Sequence, residues 1–236
     1  MKFLLRGLVA CFLLALVSGC AVTRSEMRLD VPSPSYAITG GGRPLVIDAI
    51  HDVRTFEVDP DDPSTPSLKE GQEYALSVEG RKQAIARKRG GFGMAMGDIL
   101  LKPGQNVETI TRQLLVNAFS KQGYDVVDAN SAPEGATHVR ADIRQFWAWF
   151  TPGMWVADID ARIETLLTVT GPQGQKQLNV IGHGNNPIEF GTLENWQIAY
   201  QRAFEDYLKQ LGSAIRHAGL SLQPAAPGPQ GEQAMP

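Results

Sequence analysis

Four histidines and two cysteines are the chain's candidates for acid–base, nucleophilic or metal chemistry. His183-Gly184-Asn185-Asn186 is the most catalytic-looking run, and His183, His138 and Asp125 could be gathered on paper into a triad. No Gly-x-Ser-x-Gly or His-Glu-x-x-His signature supports it, and a turn at a strand end is the expected role of the run. His51 and Asp52 stand with Asp48 and Arg54 at the end of an apolar segment, Leu45–Ile50. A metal or an acid–base pair there would need a second ligand set at suitable spacing, so polar capping of a strand end is expected. Asp59, Asp61 and Asp62 lack the glycine and the spaced oxygens of a calcium loop. Gly90-Gly91-Phe92-Gly93 lacks the Lys-Ser or Lys-Thr of a phosphate-binding loop. No catalytic residue, metal ligand or cofactor site is expected, and the chain reads as a non-enzyme.

The cysteines belong to a different chemistry. Lys2 and Arg6 precede an apolar run, Leu8–Val17, too short to span a bilayer as a permanent helix. Small residues and a cysteine close it, in the order Val17-Ser18-Gly19-Cys20. This order resembles the lipobox of bacterial lipoproteins. The resemblance implies cleavage before Cys20, a diacylglycerol on its sulfur, and an acyl chain such as palmitate on its new amino group. Each buried methylene strengthens membrane attachment by about 0.8 kcal/mol, so three chains would make dissociation negligible. Ala21 stands where lipoproteins of this class that stay in the inner membrane carry aspartate. That implies an outer-membrane anchor with the folded part in the periplasm. With Cys11 inside the leader and Cys20 acylated, the mature chain has no thiol for a disulfide, a metal or catalysis.

Loss of residues 1–19 leaves 20 basic residues against 25 acidic ones, a net charge of −5. That balance argues against a general nucleic-acid binder, whose footprint is basic. Residues 20–42, with Pro32, Pro34 and Gly40-Gly41-Gly42, show no apolar period and are expected to form a flexible tether. Residues 43–220 are expected to form one α/β domain. The Pro-, Ala-, Gly- and Gln-rich stretch 221–236 has no core-forming residues and is expected to be disordered. Within the domain, Arg81, Lys82, Arg87, Lys88 and Arg89 place five positive charges in nine residues. They form either a patch for anionic head groups or a negatively charged partner, or a solvated strand.

The elements follow from periodicity. Asn106 is a good N-cap and Gly123 a good stop, and Val107, Ile110, Leu114, Leu115, Ala118 and Phe119 share one helical face between them. With the strand Met94–Leu101 before it and Tyr124–Val127 after it, a β–α–β unit with parallel pairing is expected. Residues 138–150 and 154–169 alternate as a hairpin around Thr151-Pro152-Gly153. Charge complementarity selects a register that pairs Arg140 with Glu164, Asp142 with Arg162 and Arg144 with Asp160. In it, Val139, Ala141, Ile143, Gln145, Trp147 and Trp149 share the inner face. Phe146, Ala148, Phe150, Met154 and Val156 then form an apolar outer face near the tip, either a docking patch for a partner or lipid, or core under another element. Thr192 starts a long helix whose stripe, Trp196, Tyr200, Phe204, Tyr207, Leu208, Leu211 and Ile215, is expected to cover the sheet.

The order strand, basic segment, strand, helix, strand, long hairpin, strand, long helix, taken with Val17–Cys20 and the Asn106–Val127 unit, resembles the YajG-like family of bacterial lipoproteins. The resemblance covers most of residues 45–218 and implies a small periplasmic α/β domain without established enzymatic chemistry. The expected fold is a single mixed, mostly antiparallel sheet with two helices packed on one face. The expected function is that of a non-catalytic lipid-anchored envelope lipoprotein, an accessory or scaffold subunit binding a periplasmic or outer-membrane partner. Contact is expected through Arg81, Lys82, Arg87, Lys88, Arg89, Phe146, Phe150 and Met154. The alternative is a lipid or glycolipid carrier with an apolar pocket near the 146–156 tip.

Overall fold

The computed structural model describes residues 24–33, 42–58, 60–68, 77–89, 95–153, 157–189 and 191–222. The leader with Cys20, Met154 and the tail from residue 223 lie outside the described residues. A mixed sheet of eight strands carries three helices. Its strands are β1 (Ser25–Met27), β2 (Arg43–Asp52), β3 (Ala84–Arg89), β4 (Ala95–Leu101), β5 (Tyr124–Val126), β6 (Thr137–Thr151), β7 (Ala157–Gly171) and β8 (Gly174–Ile188). The helices are α1 (Val78–Gln83), α2 (Val107–Lys121) and α3 (Leu193–His217).

β6 is the strand on which the sheet is built. One of its edges pairs with β7 along its whole length, and β7 pairs in turn with β8. Its other edge is shared by two strands. β2 runs parallel to Thr137–Ile143, and beyond that point β3 takes over, pairing at Ala86–Ala148. The sheet therefore forks, with β5 outside β2 and with β4 and then β1 outside β3.

Three expectations about the sheet need correction. β4 runs antiparallel to β3 and sits on the other branch from β5, so the segment around α2 is not a β–α–β unit with paired strands. The hairpin register is also different: Arg140 faces Thr168, Asp142 faces Leu166, and a bulge between Ile143 and Gln145 leaves Arg144 unopposed. Beyond the bulge Phe146 faces Ile163 and Thr151 faces Asp158, so the connection is longer than three residues. Finally, residues 25–29 are not tether. β1 lies on the edge of β4, Met27 and Leu29 are buried, and Gln105 holds Leu29 by accepting from its N–H at 3.1 Å and donating to its carbonyl at 2.7 Å. At the other end, Leu222 donates its N–H to Gln122 at 2.9 Å and packs against the core, so the domain extends past 220.

The bulge has a packing cause. An extra residue turns the rest of the strand over, which puts Phe146, Ala148 and Phe150 on the same face as Val139, Ala141 and Ile143. That is the face on which α2 and α3 lie. α2 begins as expected, with Asn106 and Thr109 capping each other reciprocally, and Gly123 takes a φ of 93° at its end. The aromatic stripe of α3 is buried as expected. Tyr200 stacks on Phe146 at 5.4 Å and donates its hydroxyl to the Ile85 carbonyl at 2.6 Å, while the Tyr207 hydroxyl meets Thr165 Oγ1 at 2.6 Å. Burial raises the pKa of both phenols, so both stay neutral. Gly182 and Gly184 let the helix approach β8 closely. A Cβ on Gly184 would collide with the Ala199 carbonyl and the Ala203 amide.

On the opposite face, residues 53–58 and 60–68 cover the upper half of β6. Trp147 is buried there against Phe56 (ring centroids 6.0 Å apart), Ala84, Leu68 and Leu100, and its indole N–H donates to the Pro63 carbonyl at 3.2 Å.

Candidate functional site: the open sheet face

Strand alternation sends one set of side chains toward the helices and the other away from them. Below and beside the cover formed by 53–58 and 60–68, the outward set meets solvent. It comprises Asp48 and His51 of β2, His138, Arg140, Asp142 and Arg144 of β6, Arg162 and Glu164 of β7, and His183 of β8. Three of the chain's histidines lie on this face, each beside a carboxylate on a neighbouring strand. His51 Nδ1 is 3.2 Å from Asp142 Oδ1, directly across the β2–β6 ladder. His138 Nδ1 is 2.8 Å from Asp48 Oδ1, and the register shift at Asp48 is what brings that carboxylate outward. His183 Nε2 is 3.2 Å from Asp160 Oδ1.

The His183 pair does not form a hydroxyl–histidine–carboxylate relay. A nucleophile–histidine–carboxylate relay needs the hydroxyl on the imidazole. At the His183 pair the hydroxyl of Thr151 instead donates to Asp160 Oδ2 at 3.0 Å, and Asn185 donates to Oδ1 at 2.9 Å. The carboxylate is thus the centre of the cluster and the imidazole hangs on its rim, tilted beside Trp149 at 6.4 Å. The triad that could be drawn through His183, His138 and Asp125 does not exist. His138 faces Thr170 and Thr170 faces Gln175, eight residues along β8 from His183. That separation is about 27 Å. The His183–Asn186 run is strand interior, not the strand-end turn expected of it. No group of three or more His, Cys, Asp and Glu able to hold a metal occurs among the described residues.

The expected contact residues separate into several environments. Arg81 is exposed in the last turn of α1. Lys82 is half-buried and donates to Glu108 at 2.8 Å, a bond that raises its pKa. Arg87 is a correction: it is 7% exposed, on a buried stretch of β3 opposite the equally buried Asp98, and offers no docking surface. Lys88 donates to Ser25 Oγ at 2.9 Å and Arg89 to the Pro60 carbonyl at 3.3 Å, both half-buried at the end of β3. Phe146 is a second correction: it is 0% exposed, and the bulge has carried it into the core beneath Tyr200 and Phe204. Phe150 is half-buried against the same core. Cys20 and Met154 lie outside the described residues. The space expected to hold a lipid behind the tryptophans is filled around Trp147.

Arg54 is the residue whose weight the sequence understated. Its side chain is 0% exposed and sits where β2 leaves β6 and β3 begins. It makes a two-pronged pair with Asp52, at 2.8 Å on each prong, and donates to the carbonyls of Ala84 and Phe146 at 2.8 Å and of Arg81 at 2.6 Å. Asp52 and Arg54 do cap a strand end, but an interior one.

A groove of about 650 Å³ runs between residues 28–33 and α2, with Leu29 and Val31 on one wall and Arg112, Val116 and Asn117 on the other. Asn117 donates to the Pro32 carbonyl across its floor at 2.5 Å. No helix among the described residues is long and apolar enough to cross a membrane.

The family model for uncharacterized lipoproteins matches residues 77–215, more than half of the chain. No curated protein matches the sequence. Among solved structures, an uncharacterized protein is 9% identical at a TM-score of 0.43, covering 83% of this chain and 99% of its own. Protein XCC0632 from Xanthomonas campestris is 12% identical at a TM-score of 0.43, covering 84% and 98%. The hypothetical protein CT253 from Chlamydia trachomatis is 9% identical at a TM-score of 0.38, covering 73% and 98%. Likenesses this distant carry no functional argument.

Proposed function

This chain belongs to the family of uncharacterized bacterial lipoproteins, and from that membership we propose that it is an envelope lipoprotein held by acyl chains on Cys20. Its leader, residues 1–19, is removed, and the domain faces the periplasm from the outer membrane. The protein is a non-catalytic accessory subunit and binds a periplasmic or outer-membrane protein. Within the lipoprotein family we read it as a YajG-like member, on the order of its elements. Family membership carries the reading, because the family was reached through residues 77–215 and Val17-Ser18-Gly19-Cys20 lies wholly outside them. Two independent stretches thus agree on one anchor.

A binding rather than a catalytic role is supported by the open face of β6, β7 and β8. It is exposed and mixed in charge, and the Thr151 hydroxyl beside His183 bonds the Asp160 carboxylate, not the imidazole. Arg81 remains a candidate contact at the surface.

The test replaces Cys20 with serine. The native chain should partition into detergent, fractionate with the outer membrane and yield an acylated N-terminal peptide beginning at Cys20. C20S should carry no acyl chain and keep its leader, residues 1–19, uncleaved. A native chain recovered unmodified from the aqueous phase would overturn the reading. A photoreactive residue at Arg81 or Arg140, irradiated in intact cells, should crosslink one envelope protein reproducibly.

A further inference from the structure

Strand direction decides which end of the molecule an N-terminal anchor reaches. β1 is parallel to β4, which is antiparallel to β3, which is parallel to β6. β1 therefore runs opposite to β6. Its first residue, Ser25, faces Ile99, which pairs with Ala86, which pairs with Ala148. The chain thus enters the sheet near the end of β6 at Thr151, and Arg24 lies one step nearer that end. Lys88 and Arg89 finish β3 at the same end, and Lys88 is bonded to Ser25 itself. Exposed Thr151, Pro152 and Gly153 stand there too. Of the acidic residues at that end, Asp158 and Glu189 lie on the β7–β8 side, away from the point of entry, while exposed Asp61 and Asp62 follow Pro60, whose carbonyl accepts from Arg89.

Only Ala21, Val22 and Thr23 separate Cys20 from Arg24. Four Cα steps reach at most about 15 Å. The opposite end of the sheet, the Gly171–Gly174 turn, is fourteen residues along β7 from Ala157, or roughly 45 Å. A leash a third as long as the sheet cannot reach past it, so the sheet cannot stand on its Gly171–Gly174 turn with the Thr151 end pointing away from the lipid.

We propose that the end of the sheet bearing Arg24, Lys88, Arg89 and Thr151 is seated on the head groups of the anchoring membrane, with the strands rising away from it and the Gly171–Gly174 turn presented farthest out. The occupant of this end is the lipid surface, whose phosphates suit the three cations beside the leash. The inference rests on acylation of Cys20. It deepens that reading, because it makes the far turn and the open sheet face the parts a partner can reach.

The experiment uses the acylated full chain in vesicles of phosphatidylethanolamine and phosphatidylglycerol. A single fluorophore is attached at Thr151→Cys or Gln173→Cys, with a quencher on the lipid head groups. The acylated mature chain carries no competing thiol. Quenching at position 151 should exceed that at 173 at least about fivefold. Equal quenching, or stronger quenching at 173, in protein that still partitions into detergent overturns the seating and leaves the anchor standing. Protein that fails to partition overturns both.

Discussion

At the scale of single residues, Arg54 shows what a strand-end cluster of charges can hide. Five donors on one guanidinium satisfy a carboxylate and three carbonyls at the fork, where two strands share one edge of β6 and no ladder can pair every group. The sequence displayed Asp48, His51, Asp52 and Arg54 together; the capping expected of them is found at Asp52 and Arg54, while Asp48 and His51 pair across the open face with His138 and Asp142. It could not show that the strand end was interior, because that depends on β3, thirty residues later, resuming the edge that β2 leaves. Arg54→Ala should destabilise the domain by about 3–5 kcal/mol, since it strands the Asp52 carboxylate and the carbonyls in a buried site. Arg54→Lys should recover little, because an ammonium cannot span the fork. Urea denaturation followed by tryptophan fluorescence measures both; a loss below about 1 kcal/mol for Arg54→Ala would remove the residue's structural role.

At the scale of elements, the 138–150 and 154–169 segments were legible as a hairpin and the 192–218 segment as its covering helix, because alternation and helical stripes are local. The register was not. Three cross-strand charge pairs are worth about 0.2–1 kcal/mol each. Burying Phe146 beneath Tyr200 and Phe204 is worth about 1.5–3 kcal/mol by itself, and the bulge at Arg144 allows it while keeping Ile143 inside. Aromatic burial outweighs surface charge, and a bulge leaves no mark in an alternating pattern. The fit of α3 to β8 sets the second limit, since nothing local marks Gly182 and Gly184 as points of close approach. The helix also shields this edge strand. Asp206 accepts from the His183 N–H at 3.0 Å, and Arg202 donates to the Asn185 carbonyl at 2.5 Å, which caps backbone groups that would otherwise template another strand. Gly184→Ala should therefore push α3 off β8 and cost at least about 2 kcal/mol. Gly174→Ala, in open space at the turn, serves as a control that should cost less despite its φ of 95°. Thermal unfolding of the two variants side by side distinguishes them; equal midpoints would deny the close approach.

At the scale of the whole molecule, the decisive feature is that the sheet begins five residues after Cys20, the proposed anchor. A proline- and glycine-containing stretch without apolar period reads as tether, yet Met27 and Leu29 need only two buried side chains and one glutamine to hold three residues on a sheet edge. Such a strand is too short to announce itself by alternation, and only the exposed edge of β4 explains why it forms. Each of the two buried side chains is worth about 1.5–3 kcal/mol, so a chain beginning at Gly42 should be less stable than one beginning at Ala21 by roughly 3–6 kcal/mol, with both free of lipid. It should also expose the edge of β4, which the Met27 carbonyl now extends by accepting from Lys102 at 3.0 Å, and aggregate at concentrations where the longer chain does not. Chemical denaturation with light scattering on the two chains measures both effects. Equal stability would return residues 24–33 to the tether, lengthen the leash to more than twenty residues and free the domain to turn any face to the membrane. A deficit of the expected size makes the anchor an extension of the sheet itself, so that pulling on the lipid pulls on β4 and, through β3, on the fork that Arg54 closes.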